Sequence, residues 1–98
     1  MEFRTDAAVE RWDARVEDWF FAVLPVEVGA QIAEIPRPRS GFGAVRVEAT
    51  IGVTTWRTSI FPDAERATYV LPLKRAVREA EGIEGAGAIV SVVLVILG

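Results

Sequence analysis

Eight of the eleven Lys and Arg residues fall between residues 37 and 78, where only three carboxylates accompany them. A guanidinium is a planar fork that matches carboxylate and phosphate oxygens, and an ammonium is a point charge for the same anions. Arg46, Arg57, Lys74, Arg75 and Arg78 are therefore the candidate anion-binding set. Phe42, between Gly41 and Gly43, is an aromatic in a loop and is placed to touch a partner. The rest of the chain is acidic. Residues 1–36 hold three Arg against eight carboxylates, and residues 79–98 carry only Glu79, Glu81 and Glu84. The plainer reading of the same cations is a solvated face paired with these acidic ends.

Other chemistry is excluded by what is missing. The chain has no Cys, no His and no Asn. Disulfides, thiolate zinc sites, imidazole ligands and a Ser-His-Asp triad are ruled out together. Ser40, Ser59 and Ser91 are the only serines, and none lies in a G-x-S-x-G elbow. No phosphate-cradling glycine motif is present; Gly41-Phe42-Gly43 is too short. Glu17 and Asp18 are adjacent, so in a strand they point to opposite faces and share no substrate. An enzyme built on Lys74 or Tyr69 with carboxylate help is left on paper, with nothing in the sequence forcing those groups together. No metal and no cofactor is expected. Trp12, Trp19 and Trp56 could stack a ligand, but at 98 residues they are better read as core and barrel closure.

Positioning these groups falls to one small domain, residues 1–98. The clearest element is a β-hairpin. Val45, Val47, Ala49 and Ile51 alternate with Arg46, Glu48 and Thr50, and Thr54–Phe61 follows after Gly52-Val53, a turn of type II′ composition. Pro62-Asp63 is expected to end that second strand. Thr68–Leu71 reads as a short strand, and Pro72 as the start of a helix over residues 73–80. Leu73, Ala76, Val77 and Ala80 form the apolar stripe of that helix, and Gly82 its stop. Pro25 opens another helix carrying Val28, Ile32 and Ile35, with Glu27 in its first turn. Ala88–Leu97 is nearly pure hydrocarbon, far short of the roughly 20 residues of a membrane-spanning helix, and reads as a strand buried on both faces. The first 24 residues are ambiguous. Phe3, Ala7, Ala8, Trp12, Val16, Trp19, Phe20 and Val23 recur at helical spacing. Phe3, Thr5, Ala7 and Val9 also alternate as a strand, with Asp13-Ala14-Arg15 as a turn and Trp19–Leu24 as its partner.

Several runs resemble a bacterial family without assigned function, domain-of-unknown-function family nineteen-oh-five. They are Gly41–Val47, Thr50-Ile51-Gly52, Thr55–Asp63, Tyr69–Arg78 and Ala80–Ile83, together with Trp19–Pro25. The resemblance implies a mainly β fold with two short helices. This is a small double-split β-barrel, or pseudobarrel, in the order β-β-α-β-β-β-α-β, in related chains often fused to a YdeI/OmpD-associated domain. It implies strands rather than a helix at the N-terminus. It transfers no catalytic residue. Members usually carry Gly-Asp before a last strand with alternating polar residues. Here Glu84–Ala88 lacks the Asp and the strand after it is apolar throughout.

The functional expectation is a non-catalytic binding or interaction module for a small anionic ligand or a protein partner. A homodimer through strand 88–97 would cover its second apolar face. A nucleic-acid-binding regulator is the alternative, by analogy with transition-state-regulator barrels, and a net charge of −3 speaks against it. No membrane role is expected. The N-terminus, Met1–Asp6, lacks a basic segment followed by an apolar run, so the expected compartment is the cytoplasm.

Overall fold

The computed structural model describes residues 1–12, 19–36 and 43–97. Six strands and two short helices follow in the order β1 (Glu2–Trp12), β2 (Trp19–Val23), α1 (Val26–Ala33), β3 (Val45–Ile51), β4 (Thr54–Asp63), β5 (Thr68–Pro72), α2 (Arg75–Glu81) and β6 (Ile89–Ile96). The strands close into an antiparallel barrel in the order β1-β2-β5-β4-β3-β6. This is the mainly β class and the element order expected from the sequence.

Period-two alternation places the core. Ala7 and Val9 on β1, Val45, Val47, Ala49 and Ile51 on β3, Ile60 on β4 and Leu71 on β5 are buried, as are Val90, Val92 and Leu94 on β6. Ile32 from α1 joins the same cluster, as do Leu73 and Ile83 from the chain on either side of α2. The hairpin turns at Gly52, whose φ of 60° is left-handed while that of Val53 is not, the pattern of a type II′ turn.

Helical periodicity in the N-terminal segment is misleading. β1 pairs with β6 from Glu2↔Val95 to Ala8↔Ile89, and with β2 from Ala8↔Val23 to Trp12↔Trp19. A strand as apolar as β6 needs a hydrogen-bonded neighbour on each edge, and β1 and β3 supply them. Other expectations are corrected. The strand β4 runs through Pro62 to Asp63 rather than stopping before it. Pro72 closes β5 instead of opening α2, which starts three residues beyond, at Arg75. Of the expected α2 stripe, Leu73 and Val77 are buried while Ala76 and Ala80 are exposed. Nor is β6 buried on both faces. Its outward Ile89 is 66% exposed, and Val93 and Val95 are half-buried between polar neighbours. Arg4 and Thr50 oppose Val93, and Glu2 and Glu48 oppose Val95.

The tryptophans also depart from expectation. Trp56 packs against the core, but Trp12 and Trp19 are 50% and 55% exposed. These two stand opposite one another on the outer wall, edge to face, with centroids 5.3 Å apart. Beside them Arg66 ties the β4–β5 turn to β1. It donates to Glu10 at 2.6 Å and to Asp63 at 2.6 Å, and its guanidinium lies over Phe21. Burial by itself would push the Asp63 carboxyl up. Hydrogen bonds from the Arg66 backbone N–H and guanidinium, with the Arg66 charge, outweigh that and hold it below its ordinary value. Glu10 first and Asp63 second hold the Arg66 guanidinium more firmly protonated. A depressed carboxylate stabilises the fold above its unfolded-state pKa, about 3.9, and loses that contribution as pH falls through the folded-state value. Urea titrations of wild type and Asp63→Asn are therefore expected to differ by a constant amount near neutrality. That difference should shrink below about pH 4.

Candidate functional site

The barrel wall opens where β4 and β5 part. β5 pairs with β4 only over Asp63↔Thr68, Pro62↔Tyr69 and Phe61↔Val70. Beyond that the chain stays with β2. Phe21 pairs with Pro72, and the Leu73 N–H donates to the Phe20 carbonyl at 2.9 Å. Pro72 has no N–H to offer β4 in any case. Among the described residues, the first half of β4 is therefore paired on one edge only, with β3. α2 then crosses this opening. At its far end Glu81 accepts a hydrogen bond from the Thr54 hydroxyl, and Gly82 ends the helix in the left-handed conformation.

A cleft of about 610 Å³ lies in the opening. One wall is Trp56, Arg57 and Thr58 of β4; the other is Pro72, Leu73, Lys74 and Arg75, with Arg78, Phe20 and Trp19 completing it. Among the described residues, four cations and no carboxylate line it. The cations are held to different degrees. The Arg78 guanidinium lies 4.5 Å from the Phe20 ring centroid and its Nε donates to the Leu73 carbonyl at 3.1 Å, so it is fixed in place. Arg75 pairs with Glu79 one turn on, at 3.1 Å on the open surface, an arrangement worth about 0.3–0.5 kcal/mol. Arg57 approaches Glu48 only to 3.6 Å and is mostly exposed. Lys74 makes no ion pair among the described residues. Exposed and weakly tied cations lose little when they turn to a bound anion, whereas Arg78 is already oriented.

Of the residues singled out from sequence, Arg57, Lys74, Arg75 and Arg78 are brought together. Arg46 is not. It projects from β3 opposite Ser59 and does not line the cleft. Phe42 lies outside the described residues, as do the Asp13-Ala14-Arg15 turn and the Glu17-Asp18 pair. Sequence reasoning missed the aromatic part of the site. Trp19, Phe20 and Trp56 come from strands far apart in sequence. The one local signal was an Arg set directly after a Trp in a strand otherwise suited to packing. Tyr69, the other residue considered for catalysis, is buried in the core cluster away from Lys74's cleft.

Among the described residues, no cluster of carboxylates suited to a metal ion is present, and no helix is long and apolar enough to cross a membrane. Comparison with curated proteins finds no match. The family model described as Domain of unknown function (DUF1905) matches residues 6–94, from within β1 to within β6. That span includes β2 to β5 whole, most of β1 and β6, and the whole cleft, and the chain belongs to the DUF1905 family.

Proposed function

We propose that this domain is a non-catalytic binding module that takes a carboxylate- or phosphate-bearing ligand in the cleft between β4, β2 and α2. The carrying observation is the lining itself, four cations and three aromatic rings with no carboxylate among the described residues. Like charges gathered in one cleft repel each other, and a bound anion relieves that repulsion. Absence of catalysis is supported by the same composition: Lys74 has no acidic neighbour in the cleft, and Tyr69 sits in the core. Nucleic acid has less support. The cations occupy one small opening, the outer face of β1 presents Glu2, Asp6 and Glu10, and the net charge is −3.

Titration with citrate and pyrophosphate tests the reading at low ionic strength. Backbone amide signals of Arg57, Lys74 and Arg78 and the Trp56 indole are expected to shift together. Arg57→Ala combined with Lys74→Ala should weaken binding by about tenfold or more. Duplex DNA in place of the small anions should leave these signals unmoved. Absence of shifts with both anions would overturn the reading.

A further inference from the structure

We propose that the ligand of this cleft is an extended acidic segment of a partner protein, which adds as a strand to the free edge of β4 between Thr55 and Ile60. This rests on the anion-binding reading above and names the class of anion. The lining carries the argument. Trp56, Arg57 and Thr58 are consecutive, so their side chains point alternately to the two faces of the sheet. All three border the cleft, as do the consecutive Pro72, Leu73, Lys74 and Arg75. A space that touches both faces of a strand lies beside its edge, not on a face.

The register defines the vacant lane. Continuing the β4–β5 pairing would set Ser59 against Pro72, Thr58 against Leu73 and Arg57 against Lys74. The ladder stops at Phe61↔Val70, and Pro72 has no N–H with which to extend it to Ser59. Among the described residues, β4 therefore keeps a run of backbone donors and acceptors with no strand beside them, bounded by Glu81 at Thr54 and by β5 at Phe61. Six residues of strand extend about 20 Å, enough to pair with a short peptide.

Charge selects the occupant. A second copy of this chain pairing edge to edge would bring Arg57 and Lys74 against their own counterparts, and like charges oppose that arrangement. An acidic strand meets Arg57 on the outer side and Lys74, Arg75 and Arg78 on the far wall. Its alternate residues meet Trp56, which faces the barrel interior. The complementary sequence alternates Asp or Glu with small apolar residues.

The test uses the full chain and a seven-residue blocked peptide alternating Glu and Val, alongside the same peptide N-methylated at alternate residues. N-methylation keeps every charge and removes the backbone donors that strand addition needs. The unmodified peptide is expected to slow hydrogen exchange of cleft-facing amides within Thr55–Ile60 and to bind at least about tenfold more tightly than the N-methylated one. Arg57→Glu with Lys74→Glu should abolish the difference. Equal affinity of the two peptides, with citrate still binding, overturns strand addition and leaves the anion site standing. Failure of peptides and citrate alike overturns both. Protection of the Thr55–Ile60 amides without peptide, in a sample that light scattering shows to be dimeric, assigns the edge to a second copy and overturns the acidic partner.

Discussion

Replacing Leu94 by Ala is expected to lower folding stability by about 2–5 kcal/mol, whereas replacing its neighbour Val93 by Ala should cost about 1 kcal/mol or less. Leu94 is fully buried on a strand paired on both edges, opposite Phe3 on one side and Ala49 on the other. Ala49 is too small to fill a void left at its partner, so the cavity persists. Stabilities of small domains run to about 5–15 kcal/mol, so the loss is a large fraction of the whole. In a domain of this size it corresponds to a fall in Tm on the order of 10 °C or more. Val93 points the other way and is half-buried among Arg4, Thr50 and their neighbours. The pair of variants also tests the homodimer through strand 88–97. If a partner covered that outer face, Val93→Ala would approach Leu94→Ala in cost, and the unfolding midpoint of wild type would rise with protein concentration. Urea denaturation at widely spaced concentrations reads both.

Gly29→Ala is expected to destabilise the protein by about 1–3 kcal/mol, although Ala is the better helix former by about 1 kcal/mol. Gly29 is buried in α1 where the helix meets β5. A methyl group there would overlap the Thr68 hydroxyl and come within 3.0 Å of the Thr68 Cα and Cβ. Thr68 cannot swing aside without loss, because its hydroxyl donates to the Pro25 carbonyl at 3.2 Å at the start of the same helix. Helix and strand must separate instead, and Ile32, fully buried from the next turn of α1, would be drawn with them. Combining Gly29→Ala with Thr68→Ala should recover part of the loss, since the hydroxyl goes but the Cα and Cβ remain. At exposed Ala30, one residue on, the sign reverses. Ala30→Gly should cost about 0.5–1 kcal/mol, the ordinary helix penalty. Thermal unfolding of wild type and these three variants separates packing from propensity. Anion-induced shifts at Lys74 and Arg78 should survive in Gly29→Ala at temperatures where it stays folded, because α1 does not line the cleft.

The sequence by itself determined the elements that announce themselves locally. The Val45–Ile51 alternation, the Gly52-Val53 turn, Pro25 before α1 and Gly82 after α2 each follow from a residue whose own backbone preference or period leaves little choice. It also confined the cations to one stretch of chain and removed thiol and imidazole chemistry. Only the tertiary structure decided the rest. The N-terminal segment satisfied a helical and a strand period at once, and the edge of β6 chose between them by supplying hydrogen-bond partners. Partial burial of Trp56 with exposure of Trp12 and Trp19 followed from barrel closure, which set one ring inward and left two on the outer wall. The cleft depends on the point where β5 leaves β4 for β2. Val70 pairs with Val23 and Phe61 alike, but beyond it only the β2 ladder continues, and which ladder ends first is set by how the barrel closes. Convergence of Arg57 with Lys74, Arg75 and Arg78, and the omission of Arg46, are consequences of that parting.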